Sequence, residues 1–256
     1  MMNRGTFAIL TGLLIPSALL RAQQPKPEDY PQHSMDRPQP ALVTPGAKLG
    51  DAPSDAIILF DGKNLDAWST DSGKKAPWLL KDGYMEVAPG TGSIQTRQGF
   101  GDCQLHVEWS SPVPATGEGQ ERGNSGVYLM GQYEVQVLDS YDNKTYPDGQ
   151  AGALFGQYPP LVNPARKPGE WESYDIIFHA PRFDASGKVT SPARVTVLFN
   201  GILVQDDVAL TGPTAYQRRP PYVKGADKLP LALQDHEMRV RYRNIWIRNL
   251  PAANHP

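Results

Sequence analysis

From residue 56 onward, apolar side chains recur at alternate positions in short runs separated by Gly, Asp and Asn. A period of two is that of extended chain, whose successive side chains point to opposite faces. The runs fall at 57–60, 84–87, 105–109, 126–130, 133–138, 174–179, 193–199, 202–204, 229–234 and 245–248. About ten short strands without a sustained helical period predict an all-β chain. Strands of this length and spacing predict two antiparallel sheets packed as a jelly-roll sandwich, with one concave face open to a ligand. No repeat of fixed period runs through the sequence, which argues against a propeller or solenoid.

One run carries more than packing information. Between Tyr133 and Asp139, alternation puts Glu134 and Gln136 on one face and Tyr133, Val135 and Val137 on the other. Asp139 stands an odd number of positions from Glu134, so a one-residue bulge near Leu138 is expected if the two carboxylates share a face. With it, the spacing Glu-x-Gln-x-x-Asp resembles the E-x-D-x-x-E strand of laminarinase- and lichenase-type glucanases. An amide replaces the middle acid and the last acid is one carbon shorter, a departure from the pair that retaining hydrolysis uses. The same alternation also fits a solvent-facing strand without chemistry.

The segment before the strands reads differently. Residues 1–22 combine Arg4, an apolar run from Phe7 to Leu20 and a small residue, Ala22, which is the order of a secretory signal peptide. Export to the periplasm or the extracellular space is expected, without membrane insertion after cleavage. Residues 23–55 are rich in Pro, Gln, Asp and Ser and predict a linker or draped arm. The sandwich is expected at 56–250, followed by a tail at 251–256. A lone Cys103 excludes an internal disulfide, so the fold rests on its core. The 24 Gly and 25 Pro in 256 residues suit many turns, and a net charge of −2 gives no footprint for nucleic acid.

Several landmarks then occur in a fixed order. Leu59-Phe60-Asp61-Gly62 opens the domain, and Arg122-Gly123-Asn124-Ser125-Gly126-Val127-Tyr128 precedes the strand with Glu134 and Asp139. Gly169-Glu170-Trp171-Glu172, Asn200-Gly201, Gln234-Asp235-His236 and Tyr242-Arg243-Asn244 follow. The set resembles the 3-keto-disaccharide hydrolase family (domain of unknown function 1080) over roughly 56–250. The resemblance implies a concanavalin A-like lectin/glucanase sandwich and cleavage of glycosides already oxidised to a ketone at carbon 3.

Within that frame, Glu134, Asp139 and His236 are the candidate catalytic residues. Gln136, Glu108, Arg122, Asn124, Gln234 and Arg243 are the candidate substrate-binding residues, Glu108 through alternation with Leu105, Val107 and Trp109. A ketone at carbon 3 acidifies the hydrogen on carbon 2, so a base can remove it, the glycosidic oxygen can leave, and water can add to the enone. The expected partner is therefore an oxidised glycoside, with no nucleic acid. No cofactor is required by the sequence; a divalent cation such as Ca²⁺ is compatible, because carboxylate and carbonyl sites have no compact signature. A non-catalytic, lectin-like carbohydrate-binding module is the alternative, since the fold hosts both, and a scaffolding domain is a third reading.

Overall fold

The computed structural model describes residues 27–250. The expected signal peptide at 1–22, the first residues of the arm and the tail at 251–256 lie outside the described residues. The chain divides into two units, Met1–Pro38 and Gln39–Pro256. The first includes a short 3-10 turn at Pro27–Asp29 and the Arg37 guanidinium over the Tyr30 ring, 5.7 Å from its centroid.

The second unit holds β1 (Ile57–Phe60), β2 (Trp68–Ser69), β3 (Leu79–Lys81), β4 (Tyr84–Glu86), β5 (Ile94–Phe100), β6 (Cys103–Ser110), β7 (Ser125–Leu129) and β8 (Tyr133–Val137). It continues with β9 (Glu172–His179), β10 (Arg182–Phe183), β11 (Val189–Ser191), β12 (Arg194–Phe199), β13 (Ile202–Ala209), β14 (Leu229–Leu233) and β15 (Arg241–Asn249). One antiparallel sheet runs β13-β12-β9-β6-β15-β4-β3, with β1 also on β15, and the other runs β2-β5-β14-β7-β8. The two sheets form the expected all-β sandwich, and β10 and β11 form a separate ribbon.

Alternation decides what lies between the sheets. Leu105, Val107 and Trp109 of β6 and Tyr174, Ile176 and Phe178 of β9 meet Val127 and Leu129 of β7 and Tyr133, Val135 and Val137 of β8 in one buried core. Tyr133 and Phe178 touch across the layers, ring centroids 5.7 Å apart. Side chains of this size each contribute about 1.5–3 kcal/mol when fully buried. Two buried tyrosine hydroxyls reach the smaller sheet: Tyr174 donates to the Gln136 carbonyl at 2.6 Å, and Tyr242 donates to Ser125 Oγ at 2.7 Å.

The ten alternating runs all correspond to strands. The strands that alternation did not show are β2, β3, β5, β10 and β11. In β5 the inward position between Ile94 and the chain's next apolar residue is Thr96, which is buried because its hydroxyl donates to the Gln98 carbonyl at 2.7 Å and accepts from the Leu231 amide at 3.0 Å. A satisfied hydroxyl can be buried where the hydrophobic pattern shows a break.

Residues 39–55 of the expected arm belong to the unit that holds the sandwich. The Gly50 carbonyl accepts hydrogen bonds from Asn244 Nδ2 at 2.9 Å and Trp246 Nε1 at 2.8 Å. This part of the arm is tied to the outer face of β15.

Candidate active site

Glu134 and Gln136 leave β8 on the face turned away from the core, yet they are only 4% and 1% exposed. Loops cover them. The outer edge of β8 is paired by residues 152–155: the Gln136 amide donates to the Ala153 carbonyl at 2.9 Å, and the Phe155 amide donates to the Glu134 carbonyl at 3.3 Å. Farther along the same edge, Thr214 Oγ1 accepts from the Glu134 amide at 3.0 Å, while the Thr214 amide donates to the Gln132 carbonyl. The open-mouthed cavity they leave, about 510 Å³, has Glu134, Gln136, Asn124, Tyr128, Gln234 and His236 in its lining.

Tyr128 stands directly opposite Glu134 in the β7–β8 pairing, and Gly126 stands opposite Gln136. Gly126 is needed for close approach: a Cβ there would collide with Glu134 Oε1 and lie 2.9 Å from the Tyr128 ring. The carboxyl therefore lies over bare backbone with the phenol beside it. Burial pushes the Glu134 carboxyl up to about 8, against the hydrogen bond donated by Tyr128, which lowers it. Burial, and then the Glu134 charge, push the Tyr128 hydroxyl well above its ordinary value, so the phenol stays protonated. Gln234 Nε2 donates to the Tyr128 oxygen at 3.3 Å, completing a short chain from Gln234 to Glu134.

The amides around the carboxyl are oriented as well. Gln136 Nε2 donates to Asn124 Oδ1 at 3.1 Å, and Asn124 Nδ2 donates to the Gln120 carbonyl at 2.8 Å. Gln136 Oε1 and Gln234 Oε1 are buried and have no protein donor among the described residues. Unpaired buried acceptors beside a cavity are places where a ligand hydroxyl would restore a hydrogen bond. Gln234 itself is held by its backbone, its amide donating to the Gly126 carbonyl at 3.0 Å and its carbonyl accepting from Ser125 Oγ at 2.6 Å. The left-handed Glu237, φ 61°, then turns the chain just after His236.

A family profile described as the 3-keto-alpha-glucoside-1,2-lyase-like domain matches residues 55–248. The chain belongs to this family. A solved protein from Parabacteroides distasonis, named a putative glycosyl hydrolase, is 47% identical, superimposes with a TM-score of 0.81, and is matched over 85% of this chain and 95% of its own. A second solved protein of that organism, under the same name, is 19% identical with a TM-score of 0.57 over 77% of this chain and 94% of its own, a likeness of fold. A search of curated proteins finds no match. As a member of the 3-keto-alpha-glucoside-1,2-lyase-like family, the chain is a carbohydrate-active domain.

The family member's candidate residues do not all gather at one place. Glu134, Gln136, Asn124, Gln234 and His236 line the cavity. Asp139 and Arg122 are not in that lining; they pair with each other, Arg122 Nε donating to Asp139 Oδ2 at 2.8 Å. The change of parity expected near Leu138 falls just past β8, whose pairing with β7 is regular from Ser125–Val137 to Leu129–Tyr133 and which ends at Val137. There Val137 and Leu138 enter the core in succession, and the Asp139 amide donates to the Arg122 carbonyl. Burial raises the Asp139 carboxyl while the Arg122 hydrogen bond and charge oppose that rise.

Glu108 and Arg243 do not join Glu134. Leu105, Val107 and Trp109 turn inward from β6, so Glu108 faces the other outer surface of the sandwich, on the larger sheet. There Arg243 Nε donates to Glu108 Oε2 at 2.6 Å, the Arg243 guanidinium carbon lies 4.1 Å from the Trp171 ring centroid, and Asn244 Nδ2 donates to Glu108 Oε1 at 2.8 Å. Burial opposes the Glu108 charge, but donors from His106, Asn244 and Arg243 hold its carboxyl at about 2. Burial likewise opposes charge on His106, whose contacts with Asp175 at 2.7 Å and Glu108 at 3.7 Å push it up to about 9. These opposite shifts mark a structural ion network.

Tyr128 was absent from the candidates although the sequence carried its signal: it shares strand parity with Asn124 and Gly126. Tyr146, Phe155, Thr214 and Tyr216 also line the cavity, and they come from loops whose approach no local pattern encodes. Among the described residues no group of three or more His, Cys, Asp or Glu is placed to hold a metal.

Proposed function

We propose that the domain cleaves 3-keto-glycosides by removing the proton on carbon 2, expelling the glycosidic oxygen, and adding water to the enone. The observation that carries this reading is the buried Glu134 carboxyl, pushed up to about 8 and lining one cavity with Tyr128 and His236. A carboxyl protonated at neutral pH suits the acid that hands a proton to the leaving oxygen. His236 is then the base at carbon 2, imidazole being an effective base near neutrality. Gln136 Oε1 and Gln234 Oε1 accept sugar hydroxyls, and the Gln136–Asn124 amide pair keeps the first of them aimed.

The other carboxylate in the lining is Glu121, which is exposed. An elimination needs one acid and one base, whereas retaining hydrolysis needs a nucleophilic carboxylate at short distance from the acid. The test is incubation with a panel of 3-keto-glycosides and their unoxidised parents. Cleavage of the oxidised members alone, slowed by deuterium at carbon 2, is the expected result. Equal cleavage of both sets would overturn the elimination. Binding without cleavage would favour the carbohydrate-binding reading, which the aromatic side chains Tyr146, Phe155 and Tyr216 in the cavity lining also suit.

A further inference from the structure

A second cavity of about 480 Å³ adjoins the one that holds Glu134, and Tyr146, Phe155, Ala215 and Tyr216 line both. Its remaining lining includes Arg218, Arg219 and Asp148. Tyr146 and Phe155 meet edge to face, centroids 6.2 Å apart. Tyr216 and Arg218 sit on a tight turn closed by the Ala215–Arg218 bridge, with Gln217 left-handed at φ 52°, and Arg219 follows it directly. Both arginines are exposed, and neither forms an ion pair with a carboxylate among the described residues. The turn follows Thr214, whose hydroxyl accepts from the Glu134 amide, so the shared wall is anchored to the strand of the proposed acid.

An aromatic wall and two unpaired guanidiniums, opposed by the single carboxylate of Asp148, favour a flat ring that carries negative charge. We propose that this second cavity is the subsite for the leaving group, and that it selects aglycones bearing a planar ring and a carboxylate or similar anion. The assignment of the ring to a leaving group rests on the elimination reading above. The selection of an anionic ring rests on the cavity itself.

The test uses two 3-keto-glucosides that differ only in the aglycone, 4-carboxyphenyl and 4-carbamoylphenyl. For the native chain and for Arg218→Gln/Arg219→Gln, the acid-to-amide ratio of kcat/KM is measured. Comparing ratios removes the difference in leaving-group reactivity. The ratio is expected to fall about five- to tenfold in the double variant, the size of two exposed ion pairs, and to shrink with added salt in the native chain. Arg218→Lys/Arg219→Lys, which keeps the charge, should retain most of the preference. An equal ratio in native chain and Gln variant would overturn the proposal. If neither glycoside is cleaved, the elimination reading fails, and calorimetric titration with the unoxidised acid and amide glucosides still reads the subsite. Tighter binding of the acid, lost in the Gln variant, supports it; equal binding refutes it.

Discussion

Replacing Glu134 by Gln should stabilise the protein at alkaline pH while removing its activity. The carboxyl moves from an ordinary 4.5 to about 8 in the folded chain because burial penalises its charge. Below pH 4.5 it is protonated in both folded and unfolded chains and adds no pH-dependent cost. Between 4.5 and 8 unfolding releases its proton, so stability falls as pH rises, and above 8 the full cost is present. That cost is about 5 kcal/mol at most, and water entering the cavity lowers it to about 2–4 kcal/mol. Glu134→Gln keeps the size and removes the titration. Any defect from the new amide is independent of pH, so the readout is the stability difference at pH 9 minus that at pH 4, from urea unfolding of both proteins. The variant should gain about 2–4 kcal/mol between the two conditions, and each kcal/mol corresponds to about 2–4 °C in Tm for a domain of this size. Turnover of a 3-keto-glycoside should fall about 10²–10⁴-fold. A stability difference that is the same at both pH values would refute the raised carboxyl and the role built on it.

Tyr128→Phe removes the hydrogen bond that lowers the Glu134 carboxyl, so the alkaline limb of the kcat/KM profile, where the acid loses its proton, should move to higher pH; a limb that stays in place would count against Tyr128 as its partner. Gly126→Ala drives a Cβ into the Glu134 carboxyl and should cost about 1–3 kcal/mol together with most of the activity, read by thermal unfolding and turnover; an active variant would show that Glu134 need not lie over residue 126. Glu108→Gln should cost about 1–3 kcal/mol at neutral pH, because its carboxyl, held at about 2, supplies stability above pH 4.5 that is lost as pH falls toward 2. Cleavage by the folded Glu108→Gln protein should match the native rate, and a large loss would return Glu108 to the site.

Local alternation was sufficient for ten of the strands, for the inward and outward faces of β6 and β8, and for Glu134 and Gln136 on the outward face of β8. Steric geometry of extended chain fixes that parity whatever the rest of the molecule does. Alternation failed where a hydroxyl replaced an apolar side chain, as at Thr96 in β5, because burial there depends on hydrogen bonds to residues 98 and 231. It also could not tell one outer surface from the other. Glu108 and Glu134 follow the same rule within their strands, but β6 and β8 belong to different sheets, so the two carboxyls leave the sandwich on opposite sides. Asp139 turned on where the strand stops and which arginine meets it, and both are long-range facts. The titration of Glu134 is the clearest case: the residue is written in the chain, but its carboxyl rises to about 8 because residues 152–155 and 214–216 close over it. Desolvation is a property of what surrounds a group, and only the tertiary structure supplies the surroundings.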